Sequence, residues 1–152
     1  MKNIFLKKYF TKEHLRNITN KITEIENFSS VELRIVLKTK RKQKEKNLPI
    51  RDLAIQDFFR FGIHNTKHKT GILIYILLKE RKFEIIADEG ICKVIPQQKW
   101  NELASRLSYK FSKDNYFEGL LDILEEIKSI AANNFPRVKD DINELPDEVI
   151  VK

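Results

Sequence analysis

The stretch GILIYILLKERKFEIIADEGI, residues 71–91, decides the fold. Its first part, Gly71–Leu78, is apolar on both faces, as a strand in the middle of a covered sheet must be. Lys79-Glu80-Arg81 is short enough for a hairpin connection, and Phe83, Ile85 and Ala87 carry the return strand. That strand closes at Asp88-Glu89-Gly90, which reads as a polar turn with Gly90 at positive φ or as part of an oxygen-rich site.

Upstream, Val31, Leu33, Ile35 and Leu37 alternate with Glu32, Arg34 and Lys38, the period-two pattern of another strand. Between the strands, Ile50 to Phe61 places Leu53, Ala54, Phe58 and Phe61 on one helical stripe, with Pro49 at its start and Gly62 as its stop. Strand, helix and strand make a βαβ unit, so the two strands are expected parallel with a right-handed connection. Leu15, Ile18, Ile22 and Ile25 mark an earlier amphipathic helix with Thr11 as N-cap. Trp100, Leu103, Leu107 and Phe111 mark a third helix, and Leu120, Leu121, Leu124, Ile127 and Ala131 a fourth. Both faces of the sheet need helices, so the expected fold is α/β: a Rossmann-like three-layer αβα sandwich around a small mixed sheet. Val149–Val151 is a candidate fourth edge strand. Residues 1–136 form one domain, followed by an acidic tail over 137–152.

At 152 residues the chain buries roughly 70% of its unfolded surface and needs neither disulfides nor metal to fold. Cys92, the sole cysteine, lacks the arginine of a cysteine-phosphatase loop and reads as a buried small hydrophobe. No stretch has the length of a secretory signal or a membrane span, so the expected location is cytoplasmic. Net charge is +7, but Asp140, Asp141, Glu144, Asp147 and Glu148 gather in the tail, leaving about +12 on the rest. Six bases lie between Lys38 and Lys46 against Glu45 alone. Without interleaved aromatics that run reads as a solvated loop rather than a nucleic-acid binder.

Strand direction brings Glu32, Asn65, Thr66, Thr70, Asp88 and Glu89 to one rim, where oxygen ligands suit a hard divalent cation, Ca²⁺ or another. The opposite rim holds the basic loop, Arg81 and Asp114, and Lys38, Lys40 and Arg81 there are candidates for a phosphate-bearing ligand. The four glycines are scattered, so no phosphate loop and no nucleotide cofactor is expected. His64 and His68 read as solvent-facing rather than as a metal pair.

Gly71-Ile-Leu-Ile-Tyr, Arg81-Lys-Phe-Glu-Ile and Asp88-Glu-Gly-Ile91 together resemble the central block of the TPM domain family. Val31-Glu-Leu-Arg-Ile35, Phe58 through Thr70, Trp100, Phe111, Tyr116 through Gly119, and Phe135-Pro136 with the acidic ending resemble the rest. The resemblance implies a Rossmann-like fold without a dinucleotide, cation binding in some members and acid phosphatase activity in plant relatives. It makes Glu32, Arg81, Asp88, Gly90, Asp114 and Gly119 the positions to watch, Asp114 joining the candidate metal ligands. Ala87-Asp88-Glu89-Gly90 departs from the Gly-x-Gly of exported members. The leading expectation is a monomeric Ca²⁺-binding module that works through an unknown protein partner. The alternatives are a metal-assisted phosphatase using Asp88 with Glu32 or Glu89, and a basic nucleic-acid or membrane-surface binder.

Overall fold

A computed structural model of the chain describes residues 6–137 and 145–152. Helix α1 (Lys12–Asn27) leads into strand β1 (Glu32–Lys38), and α2 (Ile50–Arg60) carries the chain over to β2 (Gly71–Leu77). The return strand β3 (Lys82–Ala87) is followed by a one-turn helix α3 (Glu89–Cys92), then α4 (Gln97–Ser112), α5 (Tyr116–Asn134) and β4 (Ile150–Val151). Sheet order is β3-β2-β1-β4. β1 and β2 run parallel with Glu32 opposite Gly71, and β3 returns antiparallel with Ala87 opposite Ile72. β4 lies parallel to β1 through Val36–Ile150 and Leu37–Val151, so the suspected edge strand exists and is placed beside β1.

Alternation divides each strand between two cores. Leu33, Ile35, Leu37, Ile72, Ile74, Ile76 and Ile85 pack beneath α1, α4 and α5, with Trp100, Leu103, Leu107 and Phe111 filling that layer. Trp100 and Phe111 are thus packing residues, at 1% and 0% exposure. On the other face, Val36, Leu73, Tyr75 and Ile86 meet Leu53, Ala54 and Phe58 of α2, together with Ile63 and Leu145. This second layer is thin, one helix plus the C-terminal segment, and its β1 surface is largely polar. Glu32, Arg34 and Lys38 are all buried.

α1 begins at a capping box, Thr11 Oγ1 accepting from His14 N at 3.0 Å and His14 Nδ1 from Thr11 N at 3.2 Å. That arrangement satisfies two otherwise orphaned donors.

Tyr75 is fully buried, and its hydroxyl has no hydrogen-bond partner among the described residues. Burial, then the nearby Asp57 and Glu45 carboxylates, drive its pKa above the usual phenol range. A buried hydroxyl without a partner costs about 1–3 kcal/mol, which offsets whatever it gains by packing. Tyr75→Phe is therefore expected to leave the melting temperature unchanged or to raise it; a clear fall would show that the hydroxyl is partnered.

Candidate functional site

The two sheet rims form as strand direction requires, but they gather their residues unequally. At the first, the N-terminal ends of β1 and β2 meet the C-terminal end of β3, and Asp88 N donates to Gly71 O at 3.0 Å. Asp88 is the N-cap of α3, its Oδ1 accepting from Glu89 N at 2.8 Å. Its Oδ2 is buried with no hydrogen-bond partner among the described residues. Glu89 is exposed. Gly90, expected at positive φ, has a helical φ; what it needs is space, since a Cβ would lie 2.3 Å from His68 O.

The other expected ligands do not join Asp88. Glu32 Oε1 accepts from Leu145 N at 2.7 Å and so holds the C-terminal segment. Thr66 Oγ1 accepts from Thr70 N, and Thr70 Oγ1 donates to Ser30 O, both closing the approach to β2. Asn65 is exposed on that approach. Asp114 stands at the far rim, bound to Arg81 and Tyr116. Among the described residues no three His, Cys, Asp or Glu side chains gather as a metal set. A cation at Asp88 would need six to eight oxygens in all, most of them from outside that carboxylate. His64 packs half-buried against Phe59 while His68 is exposed. Cys92, expected in the core, is exposed at the end of α3, its Sγ 3.3 Å from Ala87 O. The single turn of α3 carries it outward.

At the second rim lies a basin of about 590 Å³, lined by Lys38, Thr39, Lys40, Arg41, Lys42, Gln43 and Lys152. It opens at the carboxyl ends of β1 and β4. The chain leaves β1 for β2 on one side and returns to β4 on the other, so this is the switch point of the sheet, where open α/β folds bind ligands. No acid lines it.

Its cations are held from behind. Lys38 Nζ pairs with Glu45 Oε1 at 2.6 Å, and Lys152 Nζ with Asp57 Oδ2 at 3.0 Å. Burial alone would raise the Glu45 pKa, but hydrogen bonds from Lys38 and from Lys42 N outweigh it and hold the carboxyl below its ordinary value. Burial lowers the Lys152 pKa, and Asp57 recovers part of the difference. Arg41 Nε pairs with Glu80 at 2.6 Å while its Nη1 donates to Glu45 O and Leu48 O. The basic run is therefore a folded loop, with one 3₁₀ turn over Gln43–Glu45. Lys40 and Lys42 are exposed, with no carboxylate partner among the described residues.

Of the three expected anion ligands, Lys38 and Lys40 line this basin and Arg81 does not. Arg81, at φ 54° in the hairpin turn, donates to Asp114 Oδ1 at 3.2 Å and Tyr116 Oη at 3.0 Å. It braces the turn between α4 and α5, where Asp114 is at φ 61°. Gly119 serves the same region, because a Cβ there would lie 2.7 Å from Lys110 Cβ and push α5 off α4. A separate cavity of about 650 Å³ beside them has mixed charge, with Lys7, Lys8, His14, Arg81, Asp114 and Glu118 on its walls.

Lys152 escaped the sequence reading and Arg41 entered it only as one base of the 38–46 run; a carboxyl pair, buried Glu26 and half-buried Asp147, also escaped it. Glu26 is 3% exposed and its Oε2 accepts from Leu33 N at 2.9 Å, at the half of β1 that β4 leaves unpaired. Burial, then the neighbouring Asp147 carboxyl, push its pKa up to about 10. Thr23 Oγ1 donates to Asp147 Oδ2 at 2.8 Å. The signal was spacing, since Ile18, Ile22 and Glu26 recur every four residues on one face. Of the tail acids, Asp140, Asp141 and Glu144 lie outside the described residues.

A family model described as the TPM domain matches residues 6–130. The BA42 protein of the psychrophilic bacterium Bizionia argentinensis has a similar structure, with 29% identity, a TM-score of 0.83 and coverage of 95% of this chain and 96% of that one. The N-terminal domain of a protein from P. gingivalis shares the fold at 18% identity and TM-score 0.70, over 84% of this chain and 79% of that one. The N-terminal domain of the cg2496 protein of Corynebacterium glutamicum does so at 10% and 0.63, over 85% and 78%. No curated protein matches the chain. No helix among the described residues is long and apolar enough to cross a membrane.

Proposed function

Since the chain belongs to the TPM domain family, we propose that it is a binding module of that family which takes an anionic, phosphate-bearing ligand in the basin at the ends of β1 and β4. The observation that carries this reading is the lining itself: among the described residues, five cationic side chains and no acid surround one concavity at the switch point. Such a module would act through partners, in the cytoplasm, where the exposed thiol of Cys92 stays reduced. Titrating the protein with sulfate or orthophosphate is expected to shift the amide resonances of Thr39–Lys42 and Lys152. Lys40→Gln with Lys42→Gln should abolish those shifts. Shifts spread evenly over the surface, or none at all, would sink the proposal.

A second reading concerns the opposite rim, where Asp88 Oδ2, without a partner among the described residues, favours a divalent cation. A cation bound only by the folded state raises stability by mass action. Millimolar Ca²⁺ should then raise the melting temperature, and Asp88→Asn should remove the rise; an unchanged melting temperature defeats this reading. The same geometry argues against a phosphatase built on Asp88. Seven residues of β1 separate that rim from the basin, about 20 Å at strand spacing. A phosphate drawn to the lysines would be far from the carboxylate meant to attack it.

A further inference from the structure

We infer that the occupant of the β1–β4 basin carries two or more closely spaced phosphates on a small, base-free scaffold; this rests on the anion-binding reading above and narrows its ligand.

The register carries the argument. Leu37 pairs with Val151 on parallel neighbours, so Lys38 and Lys152 come next, side by side on one face of the sheet. Adjacent strands are about 4.8 Å apart, and like charges placed opposite one another across a ladder destabilise it. Lys38 is among the charges that depress the Lys152 pKa. Glu45 and Asp57 each hold one of these ammoniums from behind, and neither lines the cavity. On its cavity side the pair meets no negative charge from the described residues. Two anionic centres at about strand spacing would relieve the repulsion, which a single monoanion could do only in part.

Size and lining exclude other occupants. At about 590 Å³ the basin has room for about twenty waters, far more than one phosphate fills. Lys40, Arg41 and Lys42 add three more cations along one wall. Among the described residues no aromatic or apolar side chain lines it, so none of them would stack a nucleobase or hold an acyl chain. Clustered phosphates of this kind occur in free polyphosphates and inositol phosphates, and in phosphoinositide headgroups. The shared chemistry is the proposal.

The test is calorimetry on the full chain, at fixed ionic strength, with orthophosphate, pyrophosphate and inositol hexakisphosphate. Pyrophosphate and inositol hexakisphosphate should each bind at least about tenfold more tightly than orthophosphate, and Lys40→Gln with Lys42→Gln should remove about tenfold of that affinity. Both residues are exposed, so the double variant should keep its fold, and circular dichroism verifies it. Equal affinity for orthophosphate and pyrophosphate would overturn this inference while leaving the anion site standing. No binding of any of the three would overturn both. Tighter binding of a single-stranded oligonucleotide than of inositol hexakisphosphate would overturn the base-free scaffold. Phosphatidylcholine vesicles doped with phosphatidylinositol bisphosphate assign the source. Capture that soluble inositol phosphate competes away supports a headgroup, and failure to sediment beside tight soluble binding supports the free ligand.

Discussion

Glu26→Gln is expected to stabilise the protein by about 2–3 kcal/mol at pH 7 and to flatten its stability between pH 5 and pH 9. Glu26 closes the lower half of the β1 edge by accepting from Leu33 N, and it does so against a second carboxyl, Asp147. A buried carboxyl that faces a second, half-buried one keeps its proton more readily than a solvated one. Burial and Asp147 raise the Glu26 pKa from an ordinary 4.5 to about 10. The folded state therefore retains a proton that the unfolded chain gives up. Its stabilising effect is full below about pH 4.5 and declines by about 1.4 kcal/mol per pH unit above it, until the folded group itself ionises near pH 10. Glutamine keeps the acceptor for Leu33 N, supplies a donor toward Asp147, and has no proton to lose. Urea unfolding of the two proteins from pH 5 to pH 9 gives the comparison, and the histidines, common to both, cancel in the difference. Equal slopes, or a variant less stable than wild type at pH 8, would mean that Glu26 is ionised in the fold.

The same contact shows where sequence reading reaches its limit. Periodicity is local, and what it fixes locally it fixed well: the apolar run of β2, the alternation in β1 and the short hairpin turn led to Glu32, Gly71 and Asp88 sharing one rim. Partner choice is not local. Glu32 looked free for a cation, yet it accepts from Leu145, 113 positions away. Lys152 becomes part of the basin only because a two-residue strand pairs with β1, and two residues carry almost no periodic signal. Arg81 and Lys38 were both assigned correctly to the second rim, but their side chains part there, one to Asp114 and the other to Glu45. The candidate anion site was half legible, through the charge of residues 38–46. The geometry that separates a basin from a solvated loop lay in Arg41, whose bonds to Glu80, Glu45 and Leu48 fold that loop.

Gly90→Ala is expected to be severely destabilising, by about 2–4 kcal/mol, although alanine is ordinarily the better helix former. Gly90 is in the first turn of α3 and its φ is not positive, so conformational freedom is not what it supplies. It supplies an absent atom. A Cβ would lie 2.3 Å from His68 O and 2.5 Å from Lys69 O, and both obstacles are backbone. Neither can step aside as the end of a flexible side chain would. Lys69 is held at φ 56°, its N–H donates to Thr66 O, and its carbonyl accepts from Gly90 N at 2.9 Å. Moving that carbonyl breaks the hydrogen bond to Gly90 and disturbs Thr70, which closes β1 against β2 by accepting from Glu32 N at 3.1 Å. The loss should therefore spread from the Asp88 rim along both central strands. Hydrogen exchange should show faster opening at Glu32 and Asp88, with the β1–β4 basin at the other end of the sheet less affected. If Gly90→Ala kept wild-type stability, the loop over 66–70 would have to yield by about an ångström, and the rim around Asp88 would be softer than its packing implies.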